Sequence, residues 1–190
     1  MAREESRPRI IEDGSTGDSL TINPNGSLIG RTSLEQHLCK GTLYAATAVH
    51  TFSGTTFENK ILLRNPSGSG KNIYFYDLKH LLDLSSSITT LHSLYVAVYR
   101  NPTVSSNGAT ISPRNRKSDA SDSAVLLINR DPTITAVGTL IVGDVASNGA
   151  QNHINHIVLA PGNSYLLQLA VANSADAAYT ILNWGEGDTE

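Results

Sequence analysis

The sequence predicts an all-β protein: an antiparallel β-sandwich, with a jelly roll as the leading form and an immunoglobulin-like topology behind it. Three observations carry this. Eight or nine short runs of β-branched, aliphatic and aromatic residues recur along the 190 residues. Clusters of Gly, Pro, Asn and Asp separate them. Nowhere does a helical apolar period persist long enough for a full-sized helix. Periodicity fixes no strand order, so both topologies stand.

Residues 1 to about 18 mix both charge signs with Gly14, Ser15, Gly17 and Asp18 and show no period, which predicts an arm that is disordered when free. Leu20 to Ile22 and Ser27 to Ile29 flank Asn23-Pro24-Asn25-Gly26, the chemistry of a compact hairpin. Ser33 is a cap for a brief helix, with Gln36 at the third position and Gly41 ending it within two turns. Residues 1–40 therefore read as an anchoring arm and hairpin, and 41–190 as the sandwich domain.

From Leu43 to His50 both alternating faces are small or apolar, which predicts a strand covered on both sides. Phe57 to Arg64 and Asn72 to Leu78 are expected as a strand pair closed by Asn65-Pro66-Ser67-Gly68-Ser69-Gly70. Residues 79 to 90 read as a connection, with Leu81, Leu82 and Leu84 in one turn of helix. In Leu91 to Arg100, Leu94, Val96 and Val98 alternate with Ser93, Tyr95, Ala97 and Tyr99, giving the cleanest strand. Residues 102 to 123 hold few apolar side chains and read as a long partner-contacting loop. Ala124 to Ile128, Gly138 to Val145, His153 to Ala160, Tyr165 to Val171 and Ala178 to Trp184 supply the remaining strands.

Arg64-Asn65-Pro66, Arg100-Asn101-Pro102 and Asn129-Arg130-Asp131-Pro132 end strands, since Pro cannot donate to a ladder and holds its predecessor extended. Their unequal spacing reads as repeated punctuation, not a solenoid repeat.

The chain is 39% apolar, 6% aromatic and 16% charged, below the ~25% charge of an average domain. Its surface is therefore polar mainly through Ser, Thr, Asn and Gly. A net charge of −3 gives no general attraction to nucleic acid or anionic membrane, and Arg114-Asn115-Arg116-Lys117 reads as a solvated loop. The charged N-terminal stretch is not a secretory signal, and no window approaches the ~20 apolar residues of a membrane span. Synthesis in the cytoplasm follows. Cys39, the single cysteine, permits no internal disulfide and reads as a small buried thiol. His37 lies two residues away, on the same face if the chain is extended, but two ligands are too few for a metal site.

Gly68-Ser69-Gly70-Lys71 resembles part of a phosphate-binding loop. The motif's first Gly is here Asn65, its Ser/Thr is Asn72, and a strand follows where a helix N-terminus is required. His153 and His156, three apart, fall on opposite faces of a strand, so chelation by the pair needs a bend. No Gly-x-Ser-x-Gly elbow is present, no acid pair stands out among the 17 acids, and Asp18, Asp83, Asp119, Asp122 and Asp144 form no calcium-loop pattern. Tyr74, Tyr76, Tyr95 and Tyr99 suit a sugar-stacking platform but are more often sheet-packing residues. The reading assigns no catalytic, cofactor or metal residue.

Ile61 to Tyr74, with its apolar run, Asn-Pro-Ser, Gly-Lys and second apolar run, resembles a segment recurring in virion structural proteins of tailed bacteriophages. Tyr99 to Thr103, Asn107-Gly108 with Pro113-Arg114-Asn115, Gly138 to Ile141 and Ala160 to Leu167 are similar in kind and order, so the likeness covers about residues 43 to 184. It is a loose likeness of motif and composition. The resemblance implies a non-enzymatic, late-expressed virion component, a homotrimer bound to capsid or to neck and tail proteins through the N-terminal arm. The chain lacks the long repetitive shaft of a complete fibre, which favours a decorating or fibre-base role. The alternative is a carbohydrate- or receptor-binding sandwich that takes a host-surface glycan through the 102 to 123 loop and exposed tyrosines; a third reading is a polysaccharide hydrolase or lyase.

Overall fold

The structure, a computed structural model, describes residues 10–12, 19–22, 28–31, 33–83, 92–121, 123–147, 151–154 and 157–189, with the backbone alone at 10–12, 19–22, 28–31, 33, 144–147 and 151–154. Strands β1 (Ile10–Glu12), β2 (Ser19–Ile22) and β3 (Leu28–Arg31) form a three-stranded antiparallel sheet, followed by helix α1 (Ser33–Lys40). The sandwich uses β4 (Leu43–His50), β5 (Glu58–Arg64), β6 (Lys71–Asp83), β7 (Ser93–Arg100), β8 (Thr103–Ser106), β9 (Ala109–Ile111), β10 (Arg114–Asn115), β11 (Leu127–Arg130) and β12 (Thr133–Ala136). It is completed by β13 (Thr139–Ser147), β14 (Gln151–Ile154), β15 (Ile157–Leu159), β16 (Ser164–Val171) and β17 (Ala177–Asp188).

The protein is thus an antiparallel β-sandwich. The first large sheet has the order β10-β4-β17-β6-β14, with β15 also on β6; the second has the order β13-β7-β16-β5-β11-β9. Inward residues of both sheets build one core. Ile61, Leu63, Leu94, Val96, Val98, Leu167 and Leu169 of the second sheet meet Ile73, Phe75, Leu78, Leu182 and Trp184 of the first. Each fully buried aliphatic side chain there contributes about 1.5–3 kcal/mol. Trp184 stacks on Tyr44 with centroids 5.8 Å apart, and its Nε1 donates to Glu186 Oε1 at 3.2 Å.

Several expected elements appear as read. The alternation of β7 places Leu94, Val96 and Val98 in the core. Helix α1 starts at Ser33 and closes with a Schellman pattern: Gly41 has φ +71°, and the Thr42 amide donates to the His37 carbonyl at 2.9 Å. The hairpin strands pair as β2 and β3, while its turn lies outside the described residues.

Other elements differ for physical reasons. Residues 10–12 of the expected disordered arm form β1, because Ile10 and Ile11 find a ladder on β2; residues 1–9 and 13–18 lie outside the described residues. β6 runs on to Asp83, since it pairs with β17 over its whole length, so 79–83 is strand and not helix or connection; 84–90 lies outside the described residues. β5 and β6 are not a paired hairpin: 65–70 carries the chain from one sheet to the other. Asn65, buried, holds that corner, its Nδ2 donating to the Lys71 and Leu159 carbonyls at 2.7 and 2.8 Å. β4 is covered on both faces only near α1, and its outer Thr47 and Val49 are exposed.

Candidate interaction surface

Two stretches thirty positions apart match each other: Arg100-Asn101-Pro102-Thr103-Val104 with Gly108, and Arg130-Asp131-Pro132-Thr133-Ile134 with Gly138. Folding turns this match into a local two-fold device. β8 and β12, the equivalent strands, pair antiparallel with each other as a two-stranded ribbon. Ser105 Oγ donates to the Thr133 carbonyl at 3.1 Å, and Thr135 Oγ1 donates to the Thr103 carbonyl at 3.2 Å. A Cβ on Gly108 (φ +78°) would overlap the Arg130 carbonyl oxygen, and a Cβ on Gly138 (φ +87°) the Arg100 carbonyl oxygen. Each of these four contacts in one half has its counterpart in the other.

The ribbon is a strap. β8 leaves β7 and delivers the chain to β9 beyond β11, while β12 leaves β11 and returns it to β13 beyond β7. Both strands therefore cross the outer face of β16 and β5. Beneath runs the register row Tyr99–Leu166–Leu62–Asn129, which continues past the strap to the exposed Leu140 at one end and Thr110 at the other. Leu166 and Leu62, at its centre, are fully buried yet lie outside the inter-sheet core cluster. Val104 and Ile134 are the ribbon's half-buried residues, and its other six are exposed. The expected long loop at 102–123 is thus a set of three short strands, β8 to β10, organised by that strap. Its punctuation also works differently from expectation. Asn101 and Asp131 are not extended before their prolines but adopt φ of +53° and +52°, a region Asn and Asp tolerate.

At one end of the sandwich a polar cluster is buried in the core. Thr180 Oγ1 lies 3.0 Å from both His50 Nε2 and His80 Nδ1. Burial, and then the positive charges of Lys60 and Arg130, lower the pKa of His50 to about 4. Burial, and then His50, lower that of His80 to about 3. His92 Nδ1 and Asp176 Oδ2 are 2.7 Å apart, both buried. Lys60, 5% exposed, donates to the Thr51 carbonyl at 2.6 Å and to Glu58 Oε2 at 2.7 Å, with Nζ 4.9 Å from the Phe52 ring centre. None of these histidines was marked by the sequence. His50 shares the inward parity of Ala46 and Ala48, a signal that was available, whereas His80 sits in the stretch read as a connection.

The sequence-selected residues fall apart in space. Lys71 of the phosphate-loop lookalike pairs with Asp188 at 2.5 Å and opens strand β6. Tyr74 and Tyr76 sit on the outer face of the first sheet around His37, with ring centroids 6.1 and 5.8 Å away, while Tyr95 and Tyr99 are on the opposite sheet. The four do not make one platform. Burial, and then Lys40, lower the His37 pKa. Cys39 is exposed rather than buried, and in a helix it does not share a face with His37. His156 and the side chain of His153 lie outside the described residues. Phe57 and Tyr95 line a shallow groove of about 470 Å³ with Thr55 and Ala170. Among the described residues no three of His, Cys, Asp and Glu converge as metal ligands, and no helix is long and apolar enough to cross a membrane. No protein-family model and no curated protein matches the sequence.

Proposed function

We propose that this chain is a non-enzymatic structural component of a tailed-bacteriophage virion, a decorating or fibre-base protein. It docks on capsid or neck and tail proteins through residues 1–40 and associates with itself as a homotrimer through the sandwich. The observation that carries this reading is strand order. Taken in chain order, β4, β5, β6, β7, β13, β14–β15, β16 and β17 fall into the sheets as first, second, first, second, second, first, second, first. We read that alternation as a jelly roll, an architecture of capsid and lectin domains. Fold alone does not assign function, so two further features support the reading. None of β1, β2 and β3 is hydrogen-bonded into either large sheet, which suits a separate anchoring unit. The second sheet carries an uncharged strap on its outer face, which suits a contact surface more than a reaction centre.

The test is attachment. A chain lacking residues 1–18 is mixed with particles stripped of the protein and sedimented; lost attachment with unchanged oligomer mass is the expected result. Undiminished attachment overturns the docking role of the arm. The groove beside Phe57 and Tyr95 favours the second reading, a glycan-binding module. Saturable signal on a glycan array that disappears in Phe57→Ala would place it first.

A further inference from the structure

The two lateral sides of the sandwich are built differently. On one, the sheets end in β9 and β10, of three and two residues. There the chain closes over itself. The Arg116 amide donates to the Leu43 carbonyl at 2.9 Å, and the buried Glu186 carboxylate accepts from the Val125 and Leu126 amides at 2.8 and 3.1 Å. On the other side the sheets end in β13, of nine residues, and in β14 and β15, of four and three. Among the described residues these strands are hydrogen-bonded on one edge only.

A free edge of that length is a template for another strand, and proteins that stay monomeric guard such edges with Lys, Pro or other charges. Here β13 carries one charged residue, Asp144, and β14 and β15 carry no Lys, Arg, Asp, Glu or Pro. Apolar side chains are exposed instead at the two rims of this side: Leu140, 55% exposed, on the outer face of the second sheet in line with Tyr99, and Val158, 46% exposed, on the outer face of the first sheet in line with Tyr74, with Ile141 at 38%. The bulge between Leu140 and Val142 leaves Ile141 outside the ladder to β7.

We infer that this lateral side is the surface through which copies of the chain associate, the exposed apolar residues of β13 and β15 meeting those of a second copy. The inference rests on the self-association in the reading above and gives it a location. Two arguments select a second copy as occupant. With Asp144 the one charged residue of its strands, the strip sets little like charge against itself when two chains of net charge −3 meet there. Its size also suffices. Nine strand residues span about 30 Å, and two sheets ~10 Å apart with their side chains about 20 Å. That is about 600 Å² per copy and about 1,200 Å² per pair, where stable interfaces begin.

The experiment is light scattering on the full chain at tens of micromolar, with L140K/V158K and I141K as variants and V49K, on the exposed face of β4, as control. The expected result is an oligomer for the native chain and for V49K, and the monomer mass of 20.3 kDa for L140K/V158K, with I141K shifted toward it. At nanomolar chain, where association no longer adds stability, all four should melt within a few degrees of each other, because every substituted side chain is exposed on the single chain. Hydrogen exchange at the β13 amides should slow at least about tenfold between nanomolar and tens of micromolar chain. An oligomer that survives both variants places association elsewhere and overturns this inference while leaving the virion reading standing. A monomeric native chain overturns the inference and the homotrimer together, and particle attachment through the arm is then decided separately by the truncation.

Discussion

Acid should weaken this protein well above the carboxylate range, and His50 and His80 set the amount. Both are buried and neutral in the folded state, with pKa values of about 4 and about 3 against 6.5 when exposed. Between those limits the unfolded chain binds more protons than the folded one. Stability is therefore complete above pH 6.5 and is lost as pH falls through it, until the folded groups themselves titrate. At pH 5.0 each histidine is 1.5 units below its unfolded pKa, which at 1.36 kcal/mol per unit is about 2 kcal/mol, or about 4 kcal/mol for the pair. His37, also lowered, acts in the same direction. Glu58 does not interfere. Desolvation raises its pKa, but hydrogen bonds from Lys60 and Ser53 outweigh that and bring it to about 2, so its contribution is lost only below pH 4.5. Against a typical stability of 5–15 kcal/mol, about 4 is a large share. Urea unfolding at pH 7.5 and 5.0, at matched ionic strength, measures it. His80→Leu removes one of the two groups and should reduce the pH dependence by about 2 kcal/mol. A native chain equally stable at both pH values would refute the burial argument.

Other consequences follow from single residues. Gly138→Ala and Gly108→Ala should each destabilise by well over about 2 kcal/mol and to a similar extent, while Gly70→Ala, at φ +62° with open space around it, should cost only about 1–2 kcal/mol; thermal melts compare the three. Asn65→Leu leaves the Lys71 and Leu159 carbonyls without their donor and should cost about 2–4 kcal/mol in chemical denaturation. Glu186→Ala strips the acceptor from the Val125 and Leu126 amides and from Trp184 Nε1, a loss of about 3 kcal/mol or more, and amide exchange should accelerate first at 125 and 126. Glu186→Gln keeps an oxygen there and should lose less.

What the sequence made legible was local. Strand alternation is a two-residue rule, so Leu94, Val96 and Val98 declared their face without help from the rest of the chain. The end of α1 was equally legible, because the positive φ of Gly41 is a local demand, although Ala120 Cβ, 2.9 Å from where a Cβ would stand, adds a distant one. What stayed hidden depended on partners distant in sequence. The stretch 79–83 looks like a leucine-rich connection until β17 supplies twelve residues of ladder. Asn65-Pro66 looks like a hairpin tip, and only the pairing of β5 with β16 shows that its flanking strands belong to different sheets. The repeat at 100–108 and 130–138 was visible as repeated punctuation, but its meaning lay in reciprocity: each glycine is required by the carbonyl of the other copy's arginine. A search for regular spacing finds solenoids and passes over a pair of segments that fold against each other.

That reciprocity also constrains how the molecule meets others. The strap occupies the outer face of the second sheet over Leu62 and Leu166, so that face is already satisfied by the chain itself. Helix α1 does the same for part of the first sheet: the His37 ring packs so closely on Gly185 that a Cβ there would approach it to 2.7 Å. The Glu186 clasp closes one lateral side. The strap, α1 over part of its sheet and the Glu186 clasp are thus covers contributed by the chain's own connections, and each depends on a specific polar or steric fit. The flank formed by β13, β14 and β15 carries none among the described residues, and there Leu140, Ile141 and Val158 face outward. With Asp144 the one charged residue of those three strands, that flank is where the self-association proposed above has to be sought.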